Sequence, residues 1–278
     1  MDHGIREIDH LLTAVKDPLA AGADFERLGF TVTPVSHIAA LGIANRLVVF
    51  SPFEWDTANF IELMGMVSPG RVPPRLEKML AGGEGGRCLV MMSDDAHAAY
   101  HALVAAGYGP EPVTHLRRSW ELPGGERLEV ELDVIPAMKA PFAFNVCRYY
   151  TLQHYHREDF RNHRNGVDRL EAVYCVSDHP ARDAAFYVRL FGAAAKKVGP
   201  GCLAVRRRHV ELVIFTPDAF RAAFNRYAGP GFAGYRLKSR SLDHTRRHFD
   251  SLGIAVGDAH EGLYLPAELT HGNLMHIV

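Results

Sequence analysis

The sequence has few cysteines, almost no net charge and no long apolar run over its 278 residues. The four cysteines show no CxxC spacing and lie in or beside apolar stretches, which predicts small buried side chains in a reduced, cytoplasmic protein. The 31 lysines and arginines nearly cancel the 32 aspartates and glutamates, so no general field attracts nucleic acid. No run approaches the roughly 18 apolar residues that span a bilayer. We therefore expect neither nucleic acid nor a membrane as partner.

The remaining composition is that of a packed chain long enough for two domains, with 47% hydrophobic and 10% aromatic residues. Residues 8–67 predict a strand, a helix and three further strands. Asp17 and Pro18 begin the helix, and Gly29 ends it. The same β-α-β-β-β order returns near residues 87, 168 and 235, which indicates a unit present four times.

One such module cannot close a core alone, because its sheet carries a helix on only one face. Two modules side by side curl into a half-open barrel whose concave face is a ligand cleft. We therefore predict an α+β fold in which four βαβββ modules pair into two half-open barrel domains. The predicted boundaries are residues 1–150 for the first domain, 151–166 for a connector and 167–278 for a shorter second domain.

Two ionisable residues of the first module stand where aliphatic side chains are expected. His10 lies near the start of the first strand, and Glu62 lies inside the last one. Burying such groups is costly unless they are paired or bound to a metal. They could be ligands of a divalent Fe, Mn, Ni or Zn ion, or a hydrogen-bonded pair that joins two strands. The spacing alone leaves both interpretations open.

Several motifs of the first two modules resemble the glyoxalase-like branch of the vicinal oxygen chelate superfamily. They are Ile8-Asp9-His10-Leu11, Asp17-Pro18, Leu28-Gly29-Phe30, Gly42 to Leu47 and Phe60-Ile61-Glu62-Leu63. The resemblance implies paired modules, a divalent metal held by His10 and Glu62, and a substrate that chelates the metal through two neighbouring oxygens. Activities in the superfamily include isomerisation, ring-opening dioxygenation, epimerisation and thiol addition, and some members only sequester drugs.

The second module departs from this family pattern where it should supply further metal ligands. The position matching the first histidine falls near Arg87 or Cys88. The last strand offers Asn145, Cys147 and Tyr149 in place of a carboxylate. The sequence therefore indicates half of a metal site whose other half is altered.

Other carboxylates offer substitutes for the missing ligands. Glu129 and Glu131 are two residues apart on one strand. In the second half, Glu171, Glu211 and His276 could form a separate set, or could be exposed charges paired with nearby arginines.

Polar residues around the predicted cleft complete the candidate site. Glu62, Tyr149 and His154 are the candidates for moving a proton. If the strand continues past residue 150, His154 shares one face with His156. The candidates for substrate binding are His37, Asn45, Arg46 and His156. A solvated connector, a supported turn and a surface ion pair are the simpler interpretations of these residues.

Together these features predict a metal-dependent enzyme of lyase, isomerase or dioxygenase type that acts on a small oxygenated organic molecule. The alternative is a non-catalytic protein that binds or sequesters a small molecule in the same cleft. A structural or oligomerising protein is the third interpretation, and a homodimer is the assembly that we expect.

Overall fold

A computed structural model of the protein describes residues 3–278, and the strands of this part form two eight-stranded sheets. One sheet comes from residues 7–149, called the first half, and the other from residues 167–277, called the second half. Residues 1 and 2, with which the predicted first domain begins, lie outside the described residues. The α+β class and the paired modules are confirmed.

The first half contains two modules joined through their first strands. Its elements are β1 (Glu7–Ala14), α1 (Pro18–Arg27), β2 (Ser36–Ile38), β3 (Ile43–Val49), β4 (Phe60–Met66), α2 (Pro74–Leu80), β5 (Gly85–Met92), α3 (Ala96–Ala105), β6 (Thr114–Glu121), β7 (Arg127–Met138) and β8 (Phe144–Tyr149). The strand order is β2-β3-β4-β1-β5-β8-β7-β6. Strand β1 pairs in parallel with β4 and antiparallel with β5. The strands that carry the two candidate metal ligands are therefore neighbours.

The second half repeats this strand order. The remaining elements are α4 (Glu158–Arg161) in the connector, then β9 (Val167–Val176), α5 (Pro180–Phe191), β10 (Ala195–Gly199), β11 (Cys202–Arg206), β12 (Glu211–Phe215), α6 (Pro217–Phe224), β13 (Gly231–Ser239), α7 (Leu242–Ser251), β14 (Gly257–Asp258), β15 (Leu263–Leu265) and β16 (Leu274–Ile277). The order is β10-β11-β12-β9-β13-β16-β15-β14. The short strands β2, β10 and β14 and the helices α4 and α6 are not predicted from the sequence.

Local signals explain where the first helix begins and ends. The Asp17 carboxylate accepts a hydrogen bond from the Leu19 amide at 2.8 Å, and Pro18 occupies the first helical position, where no donor is lost. Gly29 follows the helix with a φ of 89°, which favours glycine. The helix predicted between these residues is confirmed.

The helices of both halves cover one common core. Buried residues of α1, α3, α5 and α7 pack in it with side chains from β1, β5, β9 and β13. Two further apolar clusters lie on the opposite faces, one for each sheet. These opposite faces are where the fold can hold a ligand.

Asparagine side chains join the halves to each other. Asn59 donates to the Leu170 carbonyl at 3.0 Å and accepts from the Leu170 amide at 2.8 Å. Asn273 accepts from the Gly86 amide at 2.9 Å and donates to the Thr13 hydroxyl at 3.0 Å. Each asparagine thus satisfies a buried backbone group of a strand in the other half.

The four cysteines are free and buried, as predicted. No helix among residues 3–278 is long and apolar enough to cross a membrane.

Candidate functional site

The first sheet contains a cavity of about 790 Å³ on the face away from α1 and α3. Its walls are mainly apolar and come from β1 to β8 and α2. This volume and lining are typical of sites for small organic ligands.

A buried polar cluster lies within this cavity. His10, Asn45 and Glu62 are only 3%, 1% and 7% exposed. The His10 Nε2 atom lies 3.3 Å from Glu62 Oε2, and Asn45 Nδ2 donates to Glu62 Oε1 at 2.5 Å. The structure thus brings together three of the residues that the sequence singles out.

Asp9 extends the cluster and is not predicted from the sequence. The register between β1 and β5 shifts immediately before His10, so Asp9 is the extra residue of a β-bulge. Its carboxylate is fully buried, hydrogen-bonds His10 Nδ1, and accepts from the Tyr149 hydroxyl at 2.8 Å. A chain of contacts therefore runs from Tyr149 to Glu62. The adjacent Asp9 and His10 in an apolar strand are the signal that could have revealed it.

Burial and neighbouring charges set the ionisation of this cluster. Burial lowers the pKa of His10, but the charge of Asp9 and hydrogen bonds to Asp9 and Glu62 outweigh it and raise that pKa to about 9. Burial raises the pKa of Glu62, yet hydrogen bonds from His10 and Asn45 and the charges of His10 and Arg118 hold it below its usual value. Near neutral pH the pair is an imidazolium beside a carboxylate.

Arg118 of β6 adds a buried cation that the sequence does not single out. It is 7% exposed, donates to the Tyr155 hydroxyl at 2.8 Å and lies 4.7 Å above the centroid of the Trp120 ring. Its Nη1 atom has no hydrogen-bond partner among the described residues, and neither do Asn45 Oδ1 and Asn145 Oδ1. All three side chains line the cavity, where they offer a ligand one donor and two acceptors.

Arg46 points away from the cavity, because it alternates with Asn45 along β3. Its Nε atom donates to the Thr33 carbonyl at 2.8 Å, and its Nη2 atom donates to Glu26 at 2.6 Å. Arg46 therefore does not line the cavity, and its contacts fix α1 against β3.

His37 also lies outside the cavity lining. It is the exposed residue of β2, between the buried Ser36 and Ile38. The short edge strand turns this side chain towards solvent, so the structure does not bring it to the other candidates.

The connector does not continue as a strand. Strand β8 ends at Tyr149, and a 3-10 helix spans Leu152–His156. The prediction that His154 and His156 share one face of a strand is therefore wrong, because side chains do not alternate between two faces in a 3-10 helix. His156 Nε2 hydrogen-bonds the Thr57 carbonyl at 2.9 Å, and neither histidine lines the cavity.

A divalent ion would find two suitable donors here. His10 Nε2 and Glu62 Oε2 are close enough to occupy neighbouring positions around one ion. The Asp9 carboxylate on His10 Nδ1 matches the outer partner that metal-bound histidines usually have. The first module therefore fits half of a ligand set.

The second module does not complete that set. Val90 pairs with His10 across β1 and β5, and the polar lining residues of β8 are Asn145, Cys147 and Tyr149. Burial raises the pKa of the Cys147 thiol well above its usual value, so it is neutral. Within residues 3–278 no three or more His, Cys, Asp or Glu side chains are grouped to hold a metal ion. The donors do not fit an ion held by three protein ligands, and we derive no step through a metal.

The substitute ligands lie elsewhere. Glu129 is exposed beside Arg127 and lies outside the cavity lining, as does Glu131. In the second half Glu211 Oε2 lies 3.1 Å from Arg236, which also approaches Glu171 at 3.5 Å. These carboxylates are partners of arginines.

The corresponding face of the second sheet is filled by α6. This helix buries Phe220 and Phe224, which are 1% and 3% exposed. The Phe224 ring centroid lies 5.7 Å from that of Tyr174 and 5.9 Å from that of Tyr264. Aromatic rings thus occupy the space that is open in the first half.

A glyoxalase-like domain family model matches residues 8–191. Comparison with curated protein sequences finds no match. A hypothetical protein from Staphylococcus aureus superposes with a TM-score of 0.67 over 97% of this chain and 98% of that one, at 9% identity. The Mn(II)-bound glyoxalase from Novosphingobium aromaticivorans gives 0.59 over 98% and 81%, at 15% identity.

The 2,3-dioxygenase LapB from Pseudomonas sp. KL28 gives a TM-score of 0.56 over 99% of this chain and 92% of that one, at 12% identity. At such identities the three structures establish a shared fold and no common activity. The family model covers more than half of the chain. The chain therefore belongs to the glyoxalase-like domain family, with the paired-module fold of the vicinal oxygen chelate superfamily.

Proposed function

We propose that the first half is an enzyme of lyase or isomerase type that moves a proton on a small oxygenated organic molecule. One observation carries this proposal: Arg118, Asn45 and Asn145 present unpaired polar atoms beside the His10–Glu62 pair in an otherwise apolar cavity. Buried polar atoms without partners are costly. A ligand that carries a carbonyl and a hydroxyl group would supply the missing partners.

Glu62 is the base in this proposal. Its carboxylate is ionised and can accept a proton from a carbon next to a carbonyl group. Arg118 Nη1 and the imidazolium of His10 can then donate to the oxygen on which negative charge develops. Tyr149 acts through Asp9, which holds the His10 ring, so we assign Tyr149 a positioning role.

Solvent deuterium exchange tests this role without a known substrate. We would incubate small hydroxy ketones and hydroxy acids with the protein in D₂O and follow the protons next to the carbonyl by NMR. Wild type should catalyse exchange for at least one compound, and Glu62→Gln should reduce its rate by about a hundredfold or more. Glu129→Gln, a matched change of an exposed carboxylate, should leave the rate unchanged. Equal rates in wild type and Glu62→Gln would contradict the assignment.

The metal-dependent form of the activity stays a prediction. An Fe, Mn, Ni or Zn ion would have only His10 and Glu62 as protein ligands, and a structural neighbour described as Mn(II)-bound makes Mn the first ion to test. Metal analysis of protein purified without chelator should show about one ion per chain, lost in His10→Ala. No bound ion, or an ion unaffected by His10→Ala, would rule out this form and the dioxygenase type with it.

A non-catalytic binder is the second candidate, favoured by the incomplete ligand set. It predicts calorimetric binding of small ligands that depends on Arg118 but produces no exchange in D₂O. Exchange that depends on Glu62 would exclude it.

The cytoplasmic setting and the homodimer also stay predictions. Cell fractionation tests the first, and sedimentation equilibrium tests the second.

A further inference from the structure

The charged residues that line the first cavity fall into two groups. Those of the first group, including His10, Glu62 and Arg118, are buried and form its floor. Those of the second group are exposed and therefore surround its opening. They are Arg75, Lys78, Glu111 and Lys139. The proposed chemistry uses only the floor.

The opening is cationic. Three positive side chains and one carboxylate surround it, which leaves a formal charge of two positive units. Arg75 contacts Glu111 and the Ala137 carbonyl, and these contacts hold α2 beside the opening. Lys78 and Lys139 form no salt bridge with any other residue that the structure describes. Two cations at one opening are therefore available to a ligand.

The wall between the floor and the opening is apolar. Ile38, Leu41, Leu76, Met79, Leu116 and Val134 are among its lining residues. A small polar metabolite would leave this apolar wall exposed to water, whereas an alkyl or aryl chain would cover it. Covering apolar area stabilises the bound state in proportion to the area removed from water.

From the cationic opening, the apolar wall and the polar floor we infer that the ligand is an elongated amphipathic anion. Its anionic group lies at Lys78 and Lys139, its apolar body along the wall, and its oxygenated end at Arg118 and Asn45. This inference rests on the proposed function, because it names the class of molecule that the same cavity takes.

Isothermal titration calorimetry with three decyl compounds tests the inference. Decanoate, 1-decanol and decyltrimethylammonium share the chain and differ in charge. Decanoate should bind about tenfold tighter than decanol, a difference of roughly 1.4 kcal/mol that two exposed ion contacts together can supply. Decyltrimethylammonium should bind most weakly, and the preference for decanoate should shrink at high salt.

Paired lysine variants locate the effect. Lys78→Gln with Lys139→Gln should remove the tenfold preference and leave decanol affinity unchanged. Lys196→Gln with Lys197→Gln, exposed lysines of β10 in the second half, is the matched control and should keep the preference. Equal affinities for decanoate and decanol, no effect of the first pair, or an equal loss in the control would each overturn the inference.

The two proposals fail separately. Equal binding of decanoate and decanol would contradict an anionic group in the ligand. It would not contradict the proposed function of the cavity. If no decyl compound binds, the inference falls, and deuterium exchange in wild type and Glu62→Gln still decides the proposed function.

Discussion

The two halves of this protein share one strand order but differ in the face that lies away from their helices. In the first half that face is a cavity of about 790 Å³ with His10 and Glu62 in it. In the second half Phe220 and Phe224 fill the same face. Both faces are made by the same β-α-β-β-β pairing. The fold therefore supplies a concave surface, and other residues decide whether a ligand can enter it.

The helix between the paired modules makes this difference. In the first half, α2 follows β4 and contributes Leu76 and Met79 to the cavity wall. In the second half, α6 follows β12 and inserts its phenylalanines. A helix that follows the last strand of the first module in a half can thus either border a ligand site or fill it. The second half then contributes stability and support for the first.

The largest expected effect comes from removing the aromatic filling. Phe224→Ala should lower the free energy of unfolding by about 3 to 5 kcal/mol, because it leaves a void among packed rings. Met79→Ala in α2 should cost less than about 2 kcal/mol, since its half-buried side chain already borders an open cavity. Urea unfolding measures both. Similar costs would mean that the halves do not differ as described.

The next effect concerns His163, by which the connector is bound to the first half. The Thr31 amide donates to its Nδ1 atom at 3.0 Å, and its Nε2 atom donates to the Val49 carbonyl at 3.0 Å. Burial holds the pKa of His163 down to about 4, against 6.5 for an exposed histidine. The unfolded chain therefore takes up the proton first, and stability falls as pH drops from about 6.5 towards 4.

The difference between the two pKa values corresponds to roughly 3 kcal/mol at full effect. Urea unfolding at pH 7 and pH 5 should show about 2 kcal/mol of this loss in wild type. His163→Gln should be less stable at pH 7 but lose correspondingly less between the two pH values. An unchanged pH dependence in His163→Gln would show that this histidine is not responsible.

A smaller effect tests how the second half supports the first. Asn59→Ala should cost about 2 kcal/mol, because it removes both hydrogen bonds to Leu170 and leaves buried backbone groups unpaired. Asn162→Ala, at an exposed site in the connector, should change stability by less than about 0.5 kcal/mol. Separate unfolding transitions in Asn59→Ala would show that the halves had become uncoupled. Equal effects of the two changes would contradict the supporting role.

Features with local signals were predictable from the sequence. The Asp17-Pro18 start and the Gly29 end locate α1, and Pro74 occupies the first turn of α2. Pro123, Gly124 and Gly125 form the turn between β6 and β7, in which the Leu122 amide donates to the Glu126 carbonyl. The chain itself specifies such features within a few residues.

Features that depend on long-range register were not predictable. Asp9 reaches the cluster only because β1 bulges against β5. Arg118 sits in a polar-looking edge strand, and its burial results from the Tyr155 ring of the connector. The side-chain direction of Arg46 depends on the alternation along β3, and those of His154 and His156 depend on the end of β8 at Tyr149.

Helix α6 is different, since its local signals are present. Thr216 caps it by accepting from the Ala219 amide at 3.1 Å, Pro217 occupies its first turn, and Asn225 ends it with a φ of 49°. Phe220 and Phe224 are one helical turn apart and face the same side. The β-α-β-β-β repeat has no helix after its last strand, so α6 could be predicted only from these caps and from its correspondence to α2 in the first half.

The most direct test of the difference between the halves compares two carboxylates in one exchange experiment. With a compound that wild type labels in D₂O, we would measure Glu62→Gln in the first cavity and Glu211→Gln, beside Arg236, in the second half. We predict that exchange is lost in Glu62→Gln and kept in Glu211→Gln. Exchange that persists in Glu62→Gln, or disappears only in Glu211→Gln, would contradict the assignment of the active face to the first half.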